Sequence, residues 1–253
     1  PRGPRDAFHL AAKEAVKSGI ALAAVSYTKL RTPGNEGIKS ALEDGQRSVK
    51  FLRYHASRLG LDGESIAVFG GSAGGGIALW IATTEQNVVE DAEGGRPEYL
   101  GVSPSVVCAA ALNSQASYDV EKWFSEIFTD YDLNRNDLLS GKEAARIKAI
   151  YNVRSLDEFN GPKGVAYRKS MDFLELLDAG DPPIWMGSPK GDAPEPRGFQ
   201  DMFHHPAHVR ALKLRSDKLD VPTGKNHFIV PAYQIETPKN STLEGFLIGH
   251  LKP

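Results

Sequence analysis

Short apolar runs alternate along the chain with longer stretches in which apolar side chains recur at the period of a helix. The runs at residues 20–27, 66–69, 106–112 and 183–187 consist almost entirely of apolar and small residues. Continuously apolar strands are typical of a parallel sheet that is buried on both faces. Because these runs alternate with helical patterns, the sequence predicts an α/β fold: a mostly parallel sheet with helices on both faces, in three layers.

The longest helix is predicted for residues 36–59, where apolar positions recur at a spacing near 3.6 and Gly60 ends the pattern. Shorter helices are predicted for residues 7–18, which Gly19 would stop, and for residues 77–82, 206–220 and 243–251. The apolar face of the longest helix would be formed by Ile38, Leu42, Val49, Leu52, Ala56 and Leu59.

The pattern changes between residues 118 and 179, which are helical, polar and rich in aromatic residues and contain no clear strand. We expect one domain over residues 1–253, with residues 118–179 as a helical, lid-like insertion between two strands. Its aromatic residues Tyr118, Trp123, Phe124 and Phe128 are expected mainly in the core. Residues 187–200 are rich in glycine and proline and are expected to form a loop.

A Gly-x-Ser-x-Gly motif runs from Gly70 to Gly74, directly after one predicted strand and directly before a predicted helix. Strand, sharp turn and helix together describe a nucleophile elbow, in which a strained backbone exposes the serine above the sheet. Ser72 is therefore the candidate nucleophile, and the Ala73 N–H is the candidate donor to an oxyanion. The alternative is a glycine-rich turn that contains an uninvolved serine.

A serine nucleophile needs a base, and the base needs an acidic partner; in elbow folds the acid follows the serine in the chain and the histidine comes last. Asp192 lies just beyond the strand predicted at residues 183–187, where catalytic groups collect in open α/β sheets. Asp192 is the predicted acid, with Glu195 and Asp201 as competitors and a solvated turn aspartate as the alternative.

His227 is the predicted base, because it lies in a loop between a weak last strand and the closing helix. A buried structural histidine is the alternative reading of this residue. The competing histidines are expected within or beside helices: His9, His55, His204, His205, His208 and His250.

The segment from residue 132 to residue 143 has the oxygen-ligand spacing of a calcium loop. The candidate ligands, at loop positions one, three, five and twelve, are Asp132, Asn134, Asn136 and Glu143. Asp137 stands where glycine is expected for the sharp turn. The alternative is an Asp/Asn turn followed by a helix that Ser140 and Glu143 cap.

Composition excludes several function classes. The 253 residues are 41% hydrophobic and carry a net charge of −2, which gives no electrostatic reason to expect nucleic acid or an acidic membrane as a partner. No apolar run approaches the ~20 residues of a membrane span. Cys108 is the single cysteine and is expected in the core. Compartment and oligomeric state stay open.

The elbow and its surroundings resemble the α/β-hydrolase superfamily, and are most similar to carboxylesterases of the hormone-sensitive-lipase-like and feruloyl-esterase-like groups. The supporting residues span Ala21 to Ala82, and the Asp181-Pro182-Pro183-Ile184 segment is similar to the start of the strand that carries the acid in that family. The resemblance implies a Ser72–His227–Asp192 triad, no organic cofactor and a small-molecule ester substrate.

The sequence departs from that family at three places. Gly71 stands where the hormone-sensitive-lipase form has aspartate, and no glycine separates His227 from Phe228. The family's His-Gly-Gly-Gly motif, which supplies further oxyanion donors, does not occur before Ala7. We expect that motif to belong to a segment preceding Pro1.

The leading hypothesis is therefore a serine hydrolase that cleaves carboxylic esters through an acyl-enzyme. A peptidase of the same fold is the second hypothesis. A non-catalytic member of the fold, which binds a small molecule or a protein, is the third.

Overall fold

A four-stranded parallel sheet, in the order β1-β2-β3-β4, forms the centre of the fold. The computed structural model describes residues 15–30, 36–84, 97–141, 143–188, 195–219, 228–229 and 242–251. The strands are β1 (Ala67–Gly71), β2 (Cys108–Leu112), β3 (Ile184–Gly187) and β4 (Phe228–Ile229). The parallel sheet predicted from the apolar runs is confirmed.

Helices cover both faces of this sheet, as predicted. Alternate strand residues belong to different apolar clusters: Ala109 and Ala111 lie in the main core, whereas Cys108 and Ala110 lie in a smaller cluster with Phe246. This alternation follows from the period of two along a strand. The closing helix, which carries Phe246, therefore covers one face, and the helix of residues 73–83, which contacts β1 and β2, covers the opposite face.

Within the described residues, the helices match the predicted periodicity closely, whereas most of the helix predicted at residues 7–18 lies outside them. The 36–59 pattern forms a helix that ends at Gly60, the residue predicted to stop it, and the closing helix has the predicted bounds. Residues 123–127 form π-helical turns, and residues 97–99 form a 3₁₀ turn. The α-helices are α1 (Lys39–Leu59), α2 (Ala73–Thr83), α3 (Val120–Lys122), α4 (Arg135–Ser140), α5 (Ala144–Tyr151), α6 (Leu156–Asn160), α7 (Pro162–Lys169), α8 (Phe173–Leu176), α9 (Phe199–Phe203), α10 (Ala207–Asp217) and α11 (Leu243–Leu251).

The buried strand predicted at residues 20–27 is not observed. These residues form no strand, and the side chains of Val25 and Tyr27 are 43% and 36% exposed. A strand is defined by backbone hydrogen bonds to a neighbour, and within the described part of the chain β1 pairs only with β2. An apolar run of strand-like composition does not by itself supply that partner. The prediction of a buried strand here is therefore wrong.

Every regular element described within residues 118–179 is a helix, as predicted. The side chains of this segment contribute much of the core. Trp123 and Phe128 are each 1% exposed, and Tyr118 is 4% exposed, so these rings fill the interior. A buried ion pair joins Arg168 Nε to Asp119 Oδ1 at 2.9 Å inside the segment. The movement of this segment as a lid stays a prediction.

The segment with calcium-loop spacing contains a helix instead of an open loop. The side chain of Asn134 accepts a hydrogen bond from the Asn136 N–H and caps α4, which runs through the middle of the predicted ligand set. Glu143 directly precedes α5 and makes no side-chain cap hydrogen bond, so the predicted Ser140 to Glu143 cap is not formed either. No group of three or more His, Cys, Asp and Glu residues placed to hold a metal occurs among the residues described. Calcium binding stays a prediction that calorimetric titration would test.

Asp172 is a buried carboxylate whose charge is expected to lower stability. Burial raises the pKa of Asp172 from 3.8 to about 6, and it outweighs the opposing effects of the Ser117 hydroxyl and of Lys122, whose Nζ lies 3.8 Å from Oδ2. Between pH 3.8 and about pH 6 the folded state keeps a proton that the unfolded state loses. The free energy of unfolding therefore falls as pH rises through this range, by up to about 3 kcal/mol.

Asp172→Asn is therefore expected to raise the melting temperature at pH 8. Asparagine can keep the helix cap that Asp172 gives to Leu174 N–H, while removing the buried charge. The gain should shrink toward pH 4, where the wild-type carboxyl is mostly protonated in the fold. Thermal melts at both pH values measure it, and a gain that does not depend on pH would contradict this account.

Among the helices in the described ranges, none has both the length and the apolar character that crossing a membrane requires.

Candidate active site

The Gly-x-Ser-x-Gly motif forms the strand-turn-helix geometry that the sequence predicts. β1 ends at Gly71, and α2 begins at Ala73. Ser72 lies between them with φ 51° and ψ −119°, a conformation that side-chain-bearing residues rarely adopt. The Ser72 N–H donates to the Leu112 carbonyl at 2.9 Å, and the Ser114 hydroxyl donates to the Ser72 carbonyl at 2.9 Å. Contacts from β2 and the loop after it therefore hold the strained residue.

Residue 70 must be glycine because the backbone of Gly74 passes too close to leave room for a side chain. A Cβ at Gly70 would lie 2.4 Å from the backbone carbon of Gly74, which is closer than real Cβ contacts come. A Cβ at Gly74 would meet nothing within 4 Å. The two glycines of the motif therefore differ in what they contribute: one allows the turn to close, and the other faces open space.

Gly70→Ala is expected to lower ester turnover by at least about 100-fold, because the backbone that carries Ser72 must shift. Gly74→Ala is the matched control and should keep turnover within a few-fold of the wild-type rate. Steady-state kinetics and melting temperatures of both variants measure the difference. If the two substitutions lowered turnover equally, the contact between residue 70 and the Gly74 backbone would not be the reason that glycine is needed at position 70.

Ala73 is the first residue of α2, so its N–H is one of the initial amides of a helix that have no acceptor within the helix. The start of a helix also carries partial positive charge. An N–H in this position can donate to an oxyanion. The role of Ala73 as oxyanion donor stays a prediction.

The structure brings His204 to the predicted nucleophile. His204 Nε2 lies 2.8 Å from Ser72 Oγ, a hydrogen-bond distance between residues 132 positions apart. Both side chains are partly exposed, so a substrate can reach them. His204 follows directly after α9 and precedes Pro206, at the turn into α10. From the sequence alone, His204 is only a competing histidine beside a predicted helix.

The predicted acid and base, Asp192 and His227, lie outside the described residues and stay predictions. His227 is predicted to follow a last strand, whereas β4 begins at Phe228, directly after His227 in the chain. Of the competing acids, Asp201 is exposed and its Oδ2 accepts from the Arg197 N–H at 3.1 Å. The signal that would have favoured His204 is its place in a short turn between two helices beyond β3.

His208 and His205 are buried, and their ring nitrogens bond to backbone groups. His208 Nδ1 accepts from the Ala116 N–H at 3.3 Å, and Nε2 lies 2.9 Å from the Met202 carbonyl. Because a carbonyl only accepts, Nε2 carries the proton and the imidazole is neutral. Burial lowers the pKa of His208 to about 3, so this ring stays neutral at physiological pH. His205 Nδ1 accepts from the Ala207 N–H at 3.1 Å.

Cys108 lies in the core of β2, as predicted, and is fully buried. Burial raises the pKa of the Cys108 thiol to about 12. A thiol with that pKa is almost entirely protonated at neutral pH, so it is a poor nucleophile. Ser72 is thus the nucleophile candidate that the site geometry supports.

A family model described as BD-FAE matches residues 3–155, which is more than half of the chain. The chain belongs to the BD-FAE family. BD-FAE proteins are α/β-hydrolases of the esterase type, so the resemblance to that superfamily is confirmed at the level of the family.

Solved structures share the fold of this BD-FAE chain. A truncated carbohydrate esterase from gut microbiota has a TM-score of 0.62 at 15% identity, over 94% of this chain and 76% of that one. An acetyl ester-xyloside bifunctional hydrolase from Caldicellulosiruptor lactoaceticus has a TM-score of 0.55 at 15% identity, over 85% of this chain and 62% of that one. At this identity the likeness concerns the fold.

A curated relative, endo-1,4-beta-xylanase B from Butyrivibrio fibrisolvens, is 33% identical over 94 residues. The aligned residues make up 37% of this chain and 14% of that protein. The BD-FAE chain thus matches a small part of a much longer relative.

Proposed function

We propose that this protein hydrolyses carboxylic esters through Ser72, with His204 as the general base. The observation that carries the proposal is the 2.8 Å contact between Ser72 Oγ and His204 Nε2. It joins a serine in a strained elbow to a histidine in a turn, within the distance at which a base can take a hydroxyl proton. Membership of an esterase-type family supports the same chemistry.

In the first half of the reaction, Ser72 Oγ attacks the ester carbonyl carbon while His204 Nε2 takes the hydroxyl proton. The carbonyl oxygen becomes an oxyanion, for which the Ala73 N–H at the start of α2 is the proposed donor. When the intermediate collapses, the imidazolium gives its proton to the departing alkoxide. An alcohol leaves, and the acyl group stays on Ser72.

In the second half, a water molecule attacks the acyl carbon and His204 Nε2 takes a proton from it. Collapse of that intermediate breaks the bond to Ser72 Oγ, and the proton returns to the serine. The products are a carboxylic acid and the regenerated enzyme. An acid that accepts from His204 Nδ1 would fix the tautomer, and Asp192 remains the residue proposed for that role.

The substrate class that we propose is short acyl esters of carbohydrate hydroxyl groups. The support comes from proteins that this chain resembles: a carbohydrate esterase, an acetyl ester-xyloside hydrolase and a xylanase. The names of the first two combine ester hydrolysis with a carbohydrate, and the third names an enzyme that cleaves xylan.

Covalent labelling tests the proposed function. A fluorophosphonate is expected to add to Ser72 Oγ, and mass spectrometry of the peptide that contains the elbow should locate the adduct. Release of acetate from acetylated xylan, set against p-nitrophenyl acetate and a peptide p-nitroanilide, tests the substrate class. Faster cleavage of the anilide would favour the peptidase, whereas a protein that is neither labelled nor active would favour a non-catalytic binder.

A further inference from the structure

The loop that follows β2 contacts both members of the Ser72–His204 pair. Ser114, Gln115 and Ala116 are consecutive, and each is almost fully buried. The Ser114 hydroxyl donates to the carbonyl of Ser72 itself. The next two residues of the loop reach the other side of the site, where His204 lies.

Gln115 holds the residue that precedes the base. Its side-chain Nε2 donates to the carbonyl of Phe203, the last residue of α9, and the Gln115 side chain is 2% exposed. A buried amide in this position has little freedom to move, so the end of α9 is fixed to the loop after β2.

His208 holds Met202, the residue before Phe203 in the chain. The Ala116 N–H donates to His208 Nδ1, and His208 Nε2–H donates to the Met202 carbonyl. The ring is fully buried and packs edge-on against Trp123 and Phe128, with ring centroids 5.1 Å and 5.3 Å away. The neutral imidazole thus works as a rigid bridge between the loop and the carboxyl end of α9.

We propose that Gln115 and His208 are positioning residues that hold the Phe203 and Met202 carbonyls and thereby set His204 against Ser72. This inference rests on the proposed function, because it needs His204 to act as the base. Two adjacent carbonyls held from the same loop fix the direction in which the chain enters His204. The same loop fixes the Ser72 carbonyl, so one loop positions both the nucleophile and the proposed base.

Gln115→Met tests the proposal, because methionine fills a similar volume without a donor. We expect kcat for p-nitrophenyl acetate to fall by about 10- to 100-fold, with KM changed less than about three-fold, since misplacing a base lowers the rate of the chemical step. Thr83→Val is the matched control: it removes a buried hydroxyl that donates to the Leu79 carbonyl at 3.0 Å, and kcat should not change.

Combining the change with His204→Gln separates positioning from general destabilisation. If Gln115 acts through His204, Gln115→Met should not lower the residual rate of His204→Gln any further. A wild-type kcat in Gln115→Met, or the same fold-loss with and without His204, would overturn the proposal. If Ser72→Ala and His204→Gln both keep the wild-type rate, it is the proposed function that fails.

His208 provides the second pair of variants should Gln115→Met not fold. His208→Gln keeps a donor and an acceptor and is expected to retain most of the activity. His208→Leu removes both and should lower kcat by at least 10-fold relative to His208→Gln. Equal kcat values in the two folded variants would contradict the role assigned to the bridge.

Discussion

Ester turnover is expected to fall by roughly 10⁴- to 10⁶-fold when Ser72 is replaced by alanine, which makes this the largest effect in the molecule. The acyl-enzyme cannot form without Oγ, and the remaining groups can only polarise the substrate for direct attack by water. Hydrolysis of p-nitrophenyl acetate, corrected for the uncatalysed rate, measures the loss. The fluorophosphonate adduct should disappear from the elbow peptide at the same time.

Ser48→Ala is a suitable control for that experiment. Ser48 is partly buried in α1, and its hydroxyl donates to the Gly45 carbonyl at 2.6 Å. Its loss should leave turnover within about two-fold of the wild-type rate. If Ser72→Ala turned over ester as fast as the wild-type protein, the nucleophile assignment would be wrong.

His204→Gln is expected to lower kcat/KM by about 10³- to 10⁵-fold, the second largest effect. Glutamine can still hydrogen-bond to Ser72 Oγ from this position, but it cannot accept the hydroxyl proton, so the nucleophile stays a neutral alcohol. Steady-state kinetics on p-nitrophenyl acetate give the loss in rate. The rate of fluorophosphonate labelling should fall in parallel, because the same proton transfer activates Ser72.

His227→Gln is the matched comparison, since chain order and loop context in the sequence selected that residue. We expect it to keep at least a third of the wild-type kcat/KM. The opposite pattern, with full activity in His204→Gln and a large loss in His227→Gln, would return the role of base to His227. The two variants therefore decide between the histidine that contacts Ser72 and the histidine that chain order and loop context predict.

Most of the helices and the elbow follow from local signals in the chain, because periodicity and turn residues act over a few positions. Residues 36–59 carry apolar positions at a helical spacing, and the helix ends at Gly60 as predicted. The elbow was also local: an apolar run, two glycines and a helix-prone run are enough to place Ser72 in a strained turn. The run at residues 20–27 shows the limit of such signals, because a strand also requires a neighbouring chain.

The residue opposite Ser72 depends on contacts between distant parts of the chain. Seven histidines share one chemistry, and a pattern along the chain cannot tell which of them reaches a serine 132 residues away. That contact depends on where α9 ends above the carboxyl edge of the sheet, and Gln115 and His208 hold that end by hydrogen bonds across the core. Local composition fixes the nucleophile, whereas the proposed base is fixed by packing between distant segments.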